Sequence, residues 1–226
     1  MNTDTGRLQD YTLGETVSEG PETRIRRARH RDAALPLVVK LPVTAATSLR
    51  IVGRLVHEHR MLGKLAHIPD VVRAHDLVQE DGSAALVLED PGLRSLDRVL
   101  AERGRLDLGA ALQVARELCR ILEQVHGAGV MHKDIKPQNI LVDEGCSRAV
   151  LVDFGIASEL AQEATPASLP EALEGTLAYI SPEQTGRTAR AVDARTDLYS
   201  LGVTMFEMLT GQRPFPERDP LALVYA

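Results

Sequence analysis

The hydrophobic pattern of this chain changes near Pro91 and Gly92, and this change constrains the fold more than any other feature of the sequence. Before it, short apolar runs bounded by turn residues are typical of strands, and one helical segment at about 47–66 interrupts them. The predicted strands of this part lie at 11–19, 24–30, 35–41, 71–79 and 84–90. After the change, helical periodicity dominates. The sequence therefore predicts a small lobe built on a β-sheet, followed by a larger, mainly helical lobe.

The clearest helical pattern lies at 108–129, in "LGAALQVARELCRILEQVHGAG". Its apolar residues return on one face of a helix, namely Leu108, Leu112, Ala115, Leu118, Leu122 and Val125. Gly127 and Gly129 end the pattern, as glycine commonly does at helix C-termini. Two short apolar runs follow at 140–142 and 149–154, and the turn between them predicts a pair of strands.

Composition excludes several classes of protein. Apolar residues make up 44% of the 226 residues and charged residues 26%, values typical of a globular chain rather than a disordered or fibrous one. The net charge is −6 and no basic run stands out, which argues against nucleic-acid binding. The two cysteines, Cys119 and Cys146, lie apart, and the sequence has no signal core and no apolar run of about 18 residues. We therefore expect a reduced, cytoplasmic setting and no membrane span.

Three oxygen-bearing side chains fall at the ends of the two short strands. Asp134 and Asn139 precede the first strand in "GVMHKDIKPQNILV", and Asp153 ends the second in "DFG". Because paired strands bring their ends together, we expect these side chains to meet, with the charge of Lys136 beside them. Such a group suits Mg²⁺, which takes one or two protein carboxylates and leaves its other positions to water and phosphate. Phosphoryl transfer needs little more than this metal, a cation, and a carboxylate that orients the attacking hydroxyl.

The same residues resemble the signature of protein kinases. Residues 132–139 read "HKDIKPQN" and are followed by "DFG" at 153–155, in the order and with the spacing of the family motifs H-R-D-L-x-x-x-N and D-F-G. The resemblance covers about residues 11–219 and implies an α+β, bilobal kinase fold. The implied organisation is a tail at 1–10 and a kinase domain at 11–226, with a small lobe at about 11–90 and a large lobe at about 91–226.

Large lobes of this family continue with further helices past a segment like "RDPLALVYA", and one of them normally supplies an arginine for the residue equivalent to Glu183. We therefore expect the chain to be a fragment in which the last helices are missing. In such a fragment Glu183 would be unpaired, and apolar surface would be uncovered on the helix expected at 197–210.

The resemblance also implies a role for each polar residue of the motifs. Asp134 would orient or deprotonate the substrate hydroxyl, and Lys136 would stabilise the transferred phosphate. Asn139 and Asp153 would hold Mg²⁺. The implied reaction is transfer of the γ-phosphoryl group of ATP to serine or threonine of a protein.

A lysine that holds the nucleotide phosphates is expected on a strand of the small lobe. Lys40 follows two valines in an apolar run, and Glu58 falls close to the apolar face of the helix at 47–66. Because an unpaired buried charge costs roughly 3–5 kcal/mol, we expect Lys40 and Glu58 to pair.

Further residues are implied to contact ATP. The whole implied set is Val17, Gly20, Ile25, Val38, Lys40, Glu58, Leu88, Glu89, Asp90 and Leu141. Its apolar side chains Val17, Ile25, Val38 and Leu141 would enclose adenine. The backbone from Glu89 to Pro91, behind Leu88, would meet the polar edge of the base.

The glycine loop is where the chain departs from the family. Counting back from Lys40 places Ser18, Gly20 and Thr23 at the three glycine positions of G-x-G-x-x-G. A residue with a Cβ forced to positive φ costs on the order of 1–3 kcal/mol. Either the loop adopts another shape or nucleotide binding is weaker. The alternative function is therefore a pseudokinase, a nucleotide-binding regulatory module without turnover.

The segment from Asp153 to Glu183 resembles the activation and substrate-docking segment of Ser/Thr kinases, with "SPE" in place of "APE". Thr176 takes the position that lies against the catalytic aspartate and lysine in that family. Small-molecule kinases generally lack this segment, so a protein is the expected acceptor and a small-molecule phosphotransferase is disfavoured. In the helix that follows, Asp197 would brace the catalytic loop from beneath.

A narrower resemblance concerns the context of the domain. "LEGTLAYISPEQTGR" and "DARTDLYSLGVTMFEMLTGQRPF" resemble the N-terminal kinase module of large bacterial hybrid proteins. In those proteins a Ser/Thr kinase domain precedes an AAA-type ATPase, a GAF sensor and a histidine kinase. The resemblance implies these modules as linked partners and two-component signalling as the setting.

Overall fold

The computed structural model describes residues 7–32, 34–44, 49–160, 177–186 and 190–215. The chain forms two compact units, Met1–Gly92 and Leu93–Ala226. The first contains an antiparallel sheet and one described helix, and the second is mainly helical with short strands. The predicted order of a sheet followed by helices is confirmed.

The first unit is built on a five-stranded antiparallel sheet. Its elements are β1 (Tyr11–Glu19), β2 (Thr23–His30), β3 (Leu37–Pro42), α1 (Leu49–Lys64), β4 (Ala74–Glu80) and β5 (Ser83–Glu89). The strand order is β1-β2-β3-β5-β4, so the β3 strand is central. Strand β4 begins three residues later than the sequence predicts, and Val71 makes only an isolated bridge.

The two faces of this sheet differ because side chains alternate along each strand. One face carries the apolar core of the unit, formed by Tyr11, Ala28, Leu37, Val39, Val78, Ala85 and Val87. The other face carries Lys40, whose direct cross-strand neighbours are Ile25 in β2 and Leu86 in β5. A single strand thus supplies both the core and the polar residue of interest.

Helix α1 packs against β4 and β5. Its buried residues are Leu55, Glu58, Met61 and Leu62, which recur every three or four positions. Glu58 therefore lies on the buried stripe of the helix, as the sequence predicts.

The second unit contains two longer helices that pack against each other, α3 and α4. Its elements are β6 (Arg94–Ser95), α2 (Leu96–Arg103), α3 (Leu108–Gly127), β7 (Val130–Met131), β8 (Ile140–Val142), β9 (Ala149–Leu151), β10 (Ser158–Glu159) and α4 (Arg195–Thr210). Strands β6, β8 and β9 form one small antiparallel sheet, and β7 pairs with β10 in another. The short elements β6, α2 and β10 were not predicted from the sequence.

The buried face of α3 contains Ala115, Leu118, Leu122 and Val125, as predicted, but not Leu108 and Leu112. Leu108 and Leu112 are 63% and 48% exposed. The buried residues are Ala111, Val114, Ala115, Leu118, Ile121, Leu122 and Val125. At 100° per residue Leu112 lies about 100° around the helix from Ala111, at the edge of the stripe, and Leu108 lies in the first turn. Asp107 starts the helix by accepting a hydrogen bond from the Ala110 N–H at 3.0 Å.

Strand β9 is shorter than predicted and ends at Leu151. The N–H of Val152 still donates to the carbonyl of Asn139 at 3.0 Å, but Asp153 has φ +66°. A positive φ cannot continue a strand, so the chain turns at this residue. Among the described helices, none combines the length and the apolar character needed to cross a bilayer.

Candidate active site

The ammonium of Lys40 and the carboxylate of Glu58 form a buried ion pair in the first unit. Lys40 Nζ lies 2.8 Å from Glu58 Oε2, and the residues are 7% and 1% exposed. Strand β3 fixes one partner and α1 the other. The predicted pairing is confirmed. Because Glu58 belongs to α1, the position of this helix determines where the ammonium of Lys40 is held.

Two of the apolar side chains expected to contact adenine, Ile25 and Val38, share that face with Lys40. Ile25 lies directly across from Lys40, and Val38 lies two residues before it on the same strand. Both are partly buried, as are Val17 in β1 and Leu141 in the β8 strand of the second unit. Ile25 and Val38 thus extend an apolar surface from the lysine toward the start of β3.

The backbone segment expected to face adenine follows the same register. Leu88 is buried and pairs with Val38, and Glu89 pairs with Leu37. Asp90 continues beyond the strand, where its N–H donates to the carbonyl of Pro36 at 2.9 Å. The segment therefore lies at the end of the sheet that is adjacent to the beginning of β3.

The turn between β1 and β2 does not form the strained loop considered from the sequence. Ser18 pairs with Ile25 and Thr23 pairs with Pro42, so both residues lie within strands, although the register of β1 shifts just before Ser18. Neither is among the described residues with positive φ. The Gly20 N–H donates to the carbonyl of Thr23 at 2.9 Å, which closes a short turn. The loop therefore adopts a shape other than the glycine loop of the family, with no strain at Ser18 or Thr23.

Acidic and basic side chains hold this turn. Glu19 accepts two hydrogen bonds from Arg24, at 2.7 and 2.9 Å, across the base of the turn. Glu22, at its tip, forms ion pairs with Arg50 and Arg54 of α1. The turn is therefore fixed both to itself and to the helix that carries Glu58.

In the second unit, Asp134 is the centre of a compact polar cluster. Its Oδ2 accepts hydrogen bonds from Lys136 Nζ at 2.7 Å and from Asn139 Nδ2 at 2.8 Å. Asn139 Nδ2 also donates to the Asp134 carbonyl at 2.9 Å. The other carboxylate oxygen, Oδ1, is buried and accepts no hydrogen bond from the described residues. One oxygen is fixed by protein donors, and the other keeps its capacity to accept a proton or a hydrogen bond.

The side chains of Asn139 and Asp153 fit a hard cation. Both protons of the Asn139 amide nitrogen point to Asp134, so the orientation of the amide is settled and Oδ1 is left as an acceptor. The bond from the Val152 N–H to the Asn139 carbonyl places Asp153 one residue from that contact. An amide oxygen and a carboxylate are ligands that Mg²⁺ accepts in proteins. Among the described residues, no group of three or more His, Cys, Asp or Glu side chains forms a metal site.

Asp197 of α4 supports the loop that carries Asp134. Its fully buried carboxylate accepts hydrogen bonds from the backbone N–H groups of His132 and Lys133, at 2.9 and 2.7 Å. His126 of α3 lies 2.8 Å away through Nε2 and completes the set of donors. The bracing role expected for Asp197 is confirmed. The part of His126 was not predicted, since nothing but its place in the last turn of α3 distinguishes it.

His132 has one ring tautomer in this arrangement. The Asp134 N–H donates to His132 Nδ1 at 3.2 Å, so Nε2 carries the proton and donates to the Val152 carbonyl at 3.0 Å. The ring also meets the buried Phe154 edge to face, at a centroid distance of 4.5 Å. His132 thus connects the loop around Asp134 with the segment around Asp153.

Gln184, directly after the expected substrate segment, contacts the same loop. Gln184 Nε2 donates to the Lys133 carbonyl at 3.0 Å, and Gln184 Oε1 accepts from the Ser181 N–H at 3.2 Å. This role of Gln184 was not predicted. Glu183, which was expected to lack an arginine partner, accepts a hydrogen bond from the Thr196 hydroxyl through Oε1 at 2.9 Å. Thr176 lies outside the described residues.

Comparisons with known proteins agree with this geometry. The family model for the protein kinase domain matches residues 11–224. The chain is 33% identical over 215 residues to a probable serine/threonine-protein kinase of Clostridium perfringens, a match that covers 94% of the chain and 30% of that protein. It is 30% identical over 233 residues to serine/threonine-protein kinase PknB of Mycobacterium tuberculosis, covering 100% of the chain and 36% of the relative. A probable serine/threonine-protein kinase of Corynebacterium efficiens is 31% identical over 220 residues, with coverage of 95% and 33%. The chain thus spans about a third of the length of these relatives.

Proposed function

The chain belongs to the protein kinase domain family, and on that premise we propose that it transfers the γ-phosphoryl group of ATP to serine or threonine hydroxyls of a protein. Family membership also confirms the predicted α+β kinase fold. The names of the bacterial relatives support serine and threonine as acceptors, because each is described as a serine/threonine-protein kinase.

The Asp134 cluster is the observation that carries this proposal. Asp134 Oδ2 is held by Lys136 and Asn139, while Oδ1 accepts nothing from the described residues. A carboxylate fixed in this way can accept the hydroxyl proton of a substrate and orient its oxygen. The ammonium of Lys136, 2.7 Å from the carboxylate, can stabilise negative charge on the phosphoryl group as it moves to that oxygen.

Asn139 Oδ1 and the Asp153 carboxylate would hold Mg²⁺. When bound, the ion neutralises phosphate oxygens during phosphoryl transfer. In the first unit, the Lys40 ammonium would bind the nucleotide phosphates, and Glu58 would keep it oriented. The pair is buried, and an ammonium in such a setting attracts a phosphate more strongly than one in water does.

The turn between β1 and β2 favours a second candidate, a nucleotide-binding pseudokinase. Loops that bind phosphate do so through backbone N–H groups. Here the Gly20 N–H is used within the turn, and Pro21 has none. The turn therefore offers little to a phosphate, and binding would depend on Lys40 and the metal. If Lys40 and the metal did not hold the phosphates in place, the chain would bind the nucleotide weakly and without turnover.

We also propose a bacterial signalling context for the domain. The support is the resemblance of "LEGTLAYISPEQTGR" to the kinase modules of hybrid proteins, together with the bacterial relatives. The ATPase, GAF and histidine kinase modules would then be linked partners, and the phosphorylated protein would belong to two-component signalling.

Radiolabel transfer from γ-labelled ATP to a generic basic protein, with and without Mg²⁺, tests the proposal. Kinase activity predicts label on serine or threonine that depends on Mg²⁺. The pseudokinase would be favoured if the chain binds MgATP but transfers no label, either to an added protein or to itself. Glu144→Gln is a matched control for variants of the site, because Glu144 is an exposed carboxylate in the same unit.

A further inference from the structure

The backbone segment 89–92 has no N–H group left for a ligand. The Glu89 N–H donates to the Arg73 carbonyl at 3.0 Å, and the Asp90 N–H donates to the Pro36 carbonyl at 2.9 Å. Pro91 has no N–H. The Gly92 N–H donates to Asp90 Oδ1 at 2.9 Å. Every donor of the four peptide units is therefore engaged or absent.

The same segment still offers acceptors. Each peptide unit carries a carbonyl oxygen with two lone pairs. A polar ligand that meets this backbone can therefore donate hydrogen bonds to it but cannot receive them. The segment differs in this respect from an ordinary strand end, where both kinds of group are present.

The register of the sheet places the segment at a useful distance from the ion pair. Lys40 lies opposite Leu86, and Leu37 lies opposite Glu89, so the backbone of Lys40 is three positions along β3 from the residue opposite the start of the segment. At about 3.4 Å per residue this distance is about 10 Å. Between them, Val38 presents an apolar side chain on the face of Lys40. A nucleoside triphosphate with its phosphates at Lys40 can reach the segment with its base.

We propose that residues 89–92 recognise the base of ATP only through its exocyclic amine, and that Pro91 removes the donor that would bind N1. This inference rests on the proposed function, because it assumes that ATP is the nucleotide. Adenine presents both an amine donor at N6 and an acceptor at N1 along one edge. The carbonyls of the segment satisfy the amine. N1 receives no hydrogen bond from this backbone, and Pro91 is thereby a specificity-determining residue.

Two ATP analogues separate the two positions of the base. In 1-deaza-ATP a C–H replaces N1 and the amine is kept, whereas purine riboside triphosphate keeps N1 and lacks the amine. We expect 1-deaza-ATP to bind the chain within twofold of ATP, and purine riboside triphosphate to bind at least threefold more weakly. Dissociation constants are measured in Mg²⁺ by competition against a ribose-labelled fluorescent ATP.

Pro91→Ala supplies the missing N–H, and Pro36→Ala is its control. Pro36 lies beside the segment, but its replacement keeps the carbonyl that accepts from Asp90. We expect a preference of threefold or more for ATP over 1-deaza-ATP to appear in Pro91→Ala and not in Pro36→Ala. The inference is overturned if the parent chain already shows that preference, or if Pro91→Ala binds MgATP and leaves the ratio unchanged. Absence of binding by ATP and both analogues would reject the proposed ATP site as well, whereas either of the two contrary ratios, obtained with ATP bound, rejects only the inference.

Discussion

The backbone N–H of Lys133 donates to Oδ1 of the fully buried Asp197 at 2.7 Å, and Lys133 has φ +69°. A lysine rarely adopts this left-handed conformation, which costs of order 1–3 kcal/mol. The buried carboxylate offsets that cost, because it binds two consecutive N–H groups, those of His132 and Lys133. Asp134, the next residue, is positioned as a consequence.

Replacement of Asp197 by asparagine should destabilise the second unit. The amide keeps the shape of the carboxylate, but its nitrogen cannot accept a hydrogen bond from the surrounding donors, His126 Nε2 among them. A buried donor that loses its acceptor costs about 1–3 kcal/mol. We expect the free energy of unfolding in urea to fall by that amount. Glu102→Gln, which alters an exposed pair with Arg94, should change it by less than about 1 kcal/mol, and equal effects of the two variants would contradict the bracing role.

Asp134→Asn should separate binding from transfer. The variant keeps the shape of the side chain and removes the proton acceptor, so MgATP should bind within threefold of the parent. Phosphoryl transfer should fall by roughly 10²–10⁴, the usual effect of losing a general base. Steady-state transfer and equilibrium binding are measured on the same preparation, with Glu144→Gln as control. Transfer within fivefold of the parent would show that another group accepts the proton.

Asp153→Ala should affect binding and transfer together. Loss of this carboxylate removes a ligand of Mg²⁺, so the gain in ATP affinity on adding the ion should shrink at least tenfold. The affinity for ATP measured in EDTA should change little, since no metal is present to be lost. A variant that retains the full Mg²⁺-dependent gain would place the metal on other residues.

Lys40→Ala should reduce stability as well as activity. The change removes the ammonium that faces the buried Glu58 carboxylate, and breaking a buried pair from one side costs roughly 3–5 kcal/mol. The double variant Lys40→Met, Glu58→Leu replaces the pair with apolar side chains of similar size. It should recover most of the free energy of unfolding and none of the transfer activity. Recovery of both would remove the pair from the mechanism.

Tyr11 should make the first unit sensitive to alkaline pH. Burial raises the pKa of the Tyr11 hydroxyl well above its ordinary value, and the neighbouring Asp76 carboxylate, which accepts its hydrogen bond at 3.1 Å, raises it further. The unfolded chain ionises near pH 10 while the folded chain does not, so stability is complete below that pH and falls as the pH rises above it. The slope approaches about 1.4 kcal/mol per pH unit for one proton. Unfolding in urea at pH 9, 10 and 11 should show a steeper decline for the parent than for Tyr11→Phe, and parallel declines would exclude Tyr11 as the source.

Much of the site was predictable because its residues are close in sequence. Asp134, Lys136 and Asn139 lie within one loop, where a single turn is enough to bring their side chains together. The Lys40–Glu58 pair was predictable for a different reason. Each residue lies on an apolar strand or stripe, and a buried charge there requires a partner.

The fold was predicted more accurately in its elements than in their edges. The sheet strands and the long helices follow from alternating and helical patterns of apolar residues. These patterns do not predict the exposure of Leu108 and Leu112 or the early end of β9 at Leu151. Which side of an amphipathic pattern is covered depends on the packed neighbour, and the end of β9 depends on the positive φ of Asp153.

The sequence by itself determined the two kinds of secondary structure, the local Asp134 cluster and the need for a partner at Lys40. Only the tertiary structure decided which distant groups complete the site. Gln184 reaches Lys133 from 51 positions away along the chain, and His126 reaches Asp197 from 71 positions away, and neither contact was predicted. Periodicity reports which face of an element is buried, but not which donor or acceptor faces it. That choice is made when the helices pack, because a buried hydrogen-bonding group must then find its partner among whatever neighbours the packing provides.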